Sequence, residues 1–237
     1  MPSPWLEILE RDGIVAVPDV FDVDAIQGLI RYLTPVVGKG AGDRSLHEDE
    51  VVRRLATEGP LAEMACEVLG QARVVRVLYF DKHAGANWKV PYHQDVTIAV
   101  RERVDTPGFT GWSMKAELNH VRAPAEVLQN MVAIRLHLDD CGPDNGPLRA
   151  IPRSHLSGKL SKEDVSQVTG RNEQTYASPR GGVILMRPLT LHASSQALSP
   201  RHRRVIHIEY AGCDLPQPLA WALEFCVKCS SPSAASP

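Results

Sequence analysis

The sequence predicts an α+β protein that is mainly β, an antiparallel sandwich or barrel with N-terminal helices packed outside it. Helical apolar spacing is confined to about the first seventy residues, short β-rich runs follow it, and no βαβ alternation connects those runs. A jelly-roll core fits that order of elements.

Residues 22–34 (DVDAIQGLIRYLT) set Val23, Ile26, Leu29, Ile30 and Leu33 at helical spacing, with Asp22 placed to cap the first turn. Residues 48–69 form a second helical region, broken at Gly59-Pro60, where a proline ends one helix or opens the next. The runs VVRVLYF, MVAIRLHLD, GGVILM and VIHIEY are short and rich in β-branched and aromatic residues, which predicts strands. Asp144-Asn145-Gly146 signals a turn between two of them. Residues 101–128 show little strand character and contain Pro107, Gly108, Gly111 and Pro124; a connection of that length is expected to be a lid or substrate loop. Residues 1–228 are expected to form one domain, and 229–237, ending SSPSAASP, a flexible tail.

The formal net charge of −2 excludes the basic surplus of a nucleic-acid binder. No run approaches the length of a membrane span, and the acidic N-terminus lacks the apolar core of a secretory signal, so a cytoplasmic location is expected. Five cysteines, an odd number, do not suggest a disulfide framework. Cys226 and Cys229 form a lone CxxC without the second pair that zinc requires, and Cys66 reads as a small buried hydrophobe.

His93-Gln94-Asp95, in VPYHQDV, and His192, in LTLHASSQAL, supply two imidazoles and one carboxylate, the set that holds a non-haem Fe(II) on one face. In a strand, residues two apart point the same way, so His93 and Asp95 can reach one ion while Gln94 points elsewhere. Eleven positions after His192 stands Arg203, whose guanidinium can grip a carboxylate through two parallel hydrogen bonds. The order HxD, His, Arg is what an Fe(II)/2-oxoglutarate oxygenase needs. Arg204 is the rival clamp; in a strand it faces the other way. A second HxD, His137-Leu138-Asp139, competes with the first, and periodicity places its two side chains with Arg135 on one face. Periodicity alone does not choose between the motifs; the first follows a Gly/Pro-containing loop, where function concentrates.

These motifs sit in blocks that resemble the phytanoyl-CoA dioxygenase (PhyH-like) family of Fe(II)/2-oxoglutarate oxygenases. The blocks are ERDGIVAVPDVFDVDAI, VLYFDKHAGANWKVPYHQD, MVAIRLHLDDCGPDNGPLRAIPRSHLSGKL, GGVILMRPLTLHASSQ and RRVIHIEY. The resemblance implies a double-stranded β-helix (jelly-roll) core, iron on His93, Asp95 and His192, and 2-oxoglutarate and O2 as co-substrates. It implies that Arg203 holds the far carboxylate of 2-oxoglutarate, that Ser194 hydrogen-bonds the same molecule, and that Leu78 lines its pocket. His137 then becomes a satisfied residue behind the site. Arg135 stands where the family has an aromatic that contacts 2-oxoglutarate; it binds the co-substrate, binds an anionic substrate, or pairs with Asp139. Arg153 replaces a usual glycine, which leaves that turn's geometry open.

The implied activity is oxidation, with Asp95 favouring hydroxylation, of a small organic substrate, with release of succinate and CO2. Trp88, Lys89, Arg101, Arg103, Trp112, Lys115 and His120 outline either a cleft for a partly anionic substrate or a solvated loop. Two other classes remain at this stage. One is a catalytically silent or sensory module that binds metal and 2-oxoglutarate on the same fold. The other is a cupin-like metalloenzyme, which has no need of Arg203.

Overall fold

The computed structural model describes residues 2–37, 41–115, 117–170 and 172–229. In chain order the elements are α1 (Pro4–Asp12), β1 (Ile14–Val17), α2 (Val23–Leu33), β2 (Gly42–Asp43), α3 (Glu50–Thr57), α4 (Gly59–Leu69) and β3 (Arg73–Lys82). There follow β4 (Val90–His93), β5 (Thr97–Val100), β6 (Thr110–Lys115), β7 (Leu118–Arg122), α5 (Ala125–Gln129) and β8 (Met131–His137). The chain continues through β9 (Leu148–Ala150), α6 (Lys162–Val168), β10 (Gln174–Tyr176), β11 (Val183–Met186), β12 (His192–Ser194), β13 (Arg203–Ala211) and β14 (Phe225–Cys226).

The expected N-terminal helices form for the expected reasons. Asp22 caps α2 by accepting the Ala25 N–H at 2.7 Å, and Asp49 caps α3 by accepting from Val52 at 3.0 Å. Pro60 opens α4, where its missing N–H costs nothing. The helix α1 was not expected; it too has a proline in its first turn, and Gly13 ends it by donating to the Leu9 carbonyl.

A seven-stranded antiparallel sheet runs β1-β11-β8-β13-β3-β14, with β2 added to β3, and a four-stranded sheet runs β10-β9-β12-β4. Their inner faces meet at one end, where Ile14, Ile184 and Met186 pack on Leu148 and Ala150. Alternation along the long strands sends opposite chemistry to the two faces of the larger sheet. Ile134, Leu136, Ile206, Ile208 and Tyr210 point outward onto Leu9, Ile26, Leu33 and Leu61 of the helices. The Tyr210 hydroxyl donates to the Ala56 carbonyl at 2.8 Å and pins α3 there. Arg135, Arg203, His207 and Glu209 lie on the other face, toward the smaller sheet. Among the described residues, no helix is long and apolar enough to cross a membrane.

Three expectations need correction. Residues 101–128 are not chiefly a loop. They hold the β6–β7 hairpin, which joins β5 in a three-stranded sheet (β5-β7-β6), followed by α5. The signal was weak because β6 is mostly exposed and polar, while its partner buries only His120 and Val121 in a five-residue strand. Cys66 is not a free hydrophobe but is disulfide-bonded to Cys229, with Cα atoms 5.4 Å apart. Cys229 therefore belongs to the anchored part of the chain, and only 230–237 of the expected tail lie outside the described residues. The turn left open at Arg153 is resolved: the residue adopts φ +68°, the left-handed conformation that a glycine would take freely, at the cost of some backbone strain.

Ile208 is fully buried between the larger sheet and the helices. Ile208→Ala is expected to lower stability by about 2–5 kcal/mol, read as a lower urea midpoint with an unchanged m-value. A midpoint equal to that of the parent protein contradicts the packing described.

Candidate metal centre

The strands β12 and β4 pair antiparallel with His192 opposite His93, and the two rings lie 4.3 Å apart between centroids. Each imidazole Nδ1 faces a backbone carbonyl two residues earlier: Pro91 at 2.9 Å for His93 and Thr190 at 3.0 Å for His192. A carbonyl only accepts, so each Nδ1 carries the proton and each Nε2 presents its lone pair. These Nε2 atoms lie 3.6 and 3.7 Å from the two oxygens of Asp95. One donor atom from each of the three residues falls within 4.8 Å of the others. Burial pushes the His192 imidazole down to about 4, so it offers a lone pair at neutral pH.

Asp95 arrives differently from the expectation. The strand β4 stops at His93, so the carboxylate is placed by a loop rather than by the strand's pleat. The Asp95 N–H donates to the Pro188 carbonyl at 2.9 Å. Gln94 fixes the same loop, donating to the Gly158 and Leu189 carbonyls and accepting from the Leu160 N–H. Two imidazole nitrogens and one carboxylate, their unused ring nitrogens tied back, are a donor set that fits a divalent iron and leaves the opposite side open.

A cavity of about 340 Å³ opens from these three residues between the sheets. Leu78, Ser194, Arg135 and Arg203 all line it. Arg203 is buried and donates to the Gly146 carbonyl. Gly146 has φ +62°, and a Cβ there would lie 2.7 Å from the Ser195 carbonyl oxygen, so only glycine lets this turn approach so closely. Arg204 faces the other way. It grips Asp139 through Nε at 2.8 Å and Nη2 at 2.6 Å, and its backbone N–H adds a third bond at 2.9 Å.

The strand β8 ends at His137, so Asp139 turns toward Arg204 and does not share a face with Arg135. That removes the second HxD as a ligand pair and Asp139 as a partner for Arg135. His137 is buried on the Arg135 side, yet neither ring nitrogen has a hydrogen-bond partner, so it is not the satisfied residue expected. Burial, with the charges of Arg135 and Arg203, pushes it down to about 3 and keeps it neutral.

Arg135 donates to His207 Nδ1 at 3.0 Å, which leaves Nε2 as the protonated nitrogen facing Glu209 at 3.3 Å. Arg76 donates to the same carboxylate at 3.1 Å, completing a wall of alternating charge. Lys82, opposite Arg203 across the β13–β3 ladder, donates to the Ser194 hydroxyl at 3.0 Å and the Trp88 carbonyl at 2.7 Å. Burial and the neighbouring charges of Arg203 and Arg135 push its ammonium down to about 7. Among the described residues, no carboxylate lies within ion-pair distance of Lys82, Arg135 or Arg203; the cavity's own acids face His93, His192, Arg76 and His207.

Lys82, Arg76, His207 and Glu209 were not singled out from the sequence, although the signal was there. Steps of two from Leu78 reach Arg76 and Lys82, and steps of two from Arg203 reach His207 and Glu209. Of the residues expected to outline a cleft, Trp88 and Lys115 line the cavity, whereas Arg103 stacks on Trp112 at 5.6 Å away from it. Lys89 and Arg101 are not part of its wall.

A family model described as Phytanoyl-CoA dioxygenase (PhyH) matches residues 9–205. L-proline trans-4-hydroxylase of Streptomyces griseoviridis is 28% identical over 244 residues, covering 84% of this chain and 82% of that protein. The crystal structure of EctD from S. alaskensis with 2-oxoglutarate and 5-hydroxyectoine has a TM-score of 0.68 at 19% identity, over 89% of this chain and 76% of its own. The epimerase SnoN in complex with Fe3+, alpha ketoglutarate and nogalamycin RO has a TM-score of 0.66 at 17% identity, over 94% of this chain and 93% of its own. The likeness to both structures establishes the jelly-roll fold.

The two adjacent arginines should behave oppositely when replaced. Arg203→Met is expected to leave stability in the absence of ligands unchanged or raised, because it removes a buried charge that has no counter-charge. Arg204→Met is expected to lower it by about 1.5–3 kcal/mol, the worth of a charged hydrogen-bonding partner. Urea denaturation of both variants checks this; the reverse order contradicts the placement of the side chains.

Proposed function

The chain belongs to the phytanoyl-CoA dioxygenase (PhyH) family, and we propose that His93, Asp95 and His192 are the residues that hold its Fe(II), with Arg203, Ser194 and Lys82 holding 2-oxoglutarate. The activity is that of an Fe(II)/2-oxoglutarate-dependent oxygenase of the hydroxylase type, using O2 and acting on a small organic substrate. The observation that carries the residue assignment is the convergence of the three donor atoms within 4.8 Å, with both Nδ1–H groups held by backbone carbonyls. When bound, the iron with 2-oxoglutarate and O2 supplies the oxidising chemistry, yielding succinate, CO2 and the hydroxylated product.

The chain's own residues supply position and exclusion of water. Arg203 takes the far carboxylate of 2-oxoglutarate in the fork geometry that guanidinium offers, and the Ser194 hydroxyl adds a bond to it. Lys82 lies between Ser194 and Trp88, where a bound carboxylate favours its protonated form. Leu78, Phe80, Val90 and Leu148 make the rest of the wall apolar, so these charges act with little screening by water. Arg135 stands nearer the metal residues and is placed to meet either the co-substrate's near end or an acid group of the substrate.

Six basic residues (Arg44, Arg76, Lys82, Lys115, Arg135 and Arg203) line the cavity against two acids, Asp95 and Glu209. Fe(II) and doubly charged 2-oxoglutarate together add no net charge, so the surplus favours an anionic substrate. A volume of about 340 Å³ is at the small end for ligand sites of roughly 300–1,000 Å³, which favours a compact molecule over a long thioester. L-proline, named in the Streptomyces relative, is the first compound to test. The chain up to Cys229 is read as one oxygenase domain in the cytoplasm. Neither Cys66 nor Cys229, which are joined by a disulfide, lines the cavity.

Anaerobic addition of Fe(II) and 2-oxoglutarate is expected to produce a visible charge-transfer band. Arg203→Ala should weaken 2-oxoglutarate binding about 10- to 100-fold with iron affinity retained, as expected for losing a charged hydrogen-bond partner. Asp95→Asn should abolish iron binding at stoichiometric concentrations. Normal 2-oxoglutarate turnover in Arg203→Ala contradicts the clamp, and retained iron in Asp95→Asn contradicts the centre.

A further inference from the structure

Beyond Arg76 and Leu78 the main cavity shares its wall with a narrow recess of about 30 Å³, to which Arg44 and Lys115 also contribute. The recess reaches His47 and His120 and has no acidic residue in its wall. Arg44 and Lys115 form no ion pair with an acid among the described residues, and the nearest cavity carboxylate, Glu209, already pairs with Arg76 at 3.1 Å. His120, on β7, is 2% exposed, and its Nδ1 has no hydrogen-bond partner. A buried polar nitrogen left without a partner costs about 1–3 kcal/mol; Nδ1 is fully enclosed, so Nε2 is the ring nitrogen that can meet a group in the recess.

Burial, followed by the charges of Arg76, Lys115 and Arg44, pushes the His120 imidazole down to about 4. The ring is therefore neutral at physiological pH and offers one N–H to an acceptor. The recess has room for about two water-sized groups, at roughly 10–15 Å³ each. That suits the two oxygens of a carboxylate better than the larger head of a phosphate or sulfate.

We propose that this recess is the anchor for the substrate's carboxylate. The substrate is then a small carboxylic acid, held at one end by Arg44, Arg76, Lys115 and His120, with its remainder lying in the main cavity toward His93, Asp95 and His192. This rests on the oxygenase reading of the main cavity and adds what the substrate is and how it is oriented. It also gives the β6–β7 hairpin a role: Lys115, at the end of β6, and His120, on β7, bring that hairpin to the substrate.

The test uses the full protein loaded anaerobically with Fe(II) and 2-oxoglutarate. Binding of matched acid and amide pairs (L-proline and L-prolinamide, L-pipecolic acid and its amide, cyclohexanecarboxylic acid and its amide) is measured by calorimetry. At least one acid is expected to bind about tenfold or more tighter than its amide. Arg44→Ala combined with Lys115→Ala, both exposed positions, should remove about tenfold or more of that affinity while the 2-oxoglutarate Kd changes by less than about threefold. His120→Leu should weaken the same acid without affecting its amide. The proposal is overturned if no acid binds, if acid and amide bind alike, or if the double variant keeps the parent affinity for the acid. Failure of 2-oxoglutarate itself to bind the iron-loaded parent would overturn the underlying oxygenase reading as well, so the two failures are distinguishable.

Discussion

The short strands β4 and β12 are held side by side by a ladder of few rungs, and that pairing sets His93 against His192. Each histidine is fixed by the same local device, a carbonyl two residues upstream that takes the Nδ1 proton. The direction of both Nε2 lone pairs thus follows from backbone geometry, with no further side chain needed to orient the rings. Asp95 depends on the ladder too, because the loop carrying it is tied to Pro188 and Leu189, just before β12. Slip this register by one residue and the two imidazoles face opposite sides of the smaller sheet.

Around this centre the larger sheet divides its labour between its faces. Its outer face, packed on four helices, supplies apolar burial. Its inner face carries the buried Arg203, His137 and Lys82 and the half-buried Arg135, groups that lack a carboxylate or, for His137, any hydrogen-bond partner. Such a face opposes folding when it has nothing to bind. A ligand of negative charge bound there would therefore stabilise the fold, by binding the native state alone. Uncompensated cations at the ends of well-packed strands are more readily explained by binding than by stability.

Much of this was legible in the sequence. The helical period of α2, the proline that opens α4 and the four β-rich runs follow from side-chain pattern and appear where that pattern puts them. The opposite facing of Arg203 and Arg204 follows from the pleat alone. What was not legible has identifiable causes. The β6–β7 hairpin is polar and largely exposed, so it lacks the alternation that marks a half-buried strand. The Cys66–Cys229 bond joins residues far apart in the chain, and cysteine counting does not disclose spatial pairs. Asp139 was misassigned because the pleat was carried two residues past the end of β8, whereas the strand stops at His137. Lys82 and His120 look like ordinary charged or polar residues until burial shows that neither is solvated.

A crystal structure of the protein loaded anaerobically with Fe(II) and 2-oxoglutarate tests the metal centre and the Arg203 clamp at once. It should show the metal bonded to Nε2 of His93, Nε2 of His192 and the carboxylate of Asp95, with the far carboxylate of 2-oxoglutarate on Arg203 beside Ser194 and Lys82. Metal bound away from these three residues, or a co-substrate whose far carboxylate does not touch Arg203, would contradict this assignment.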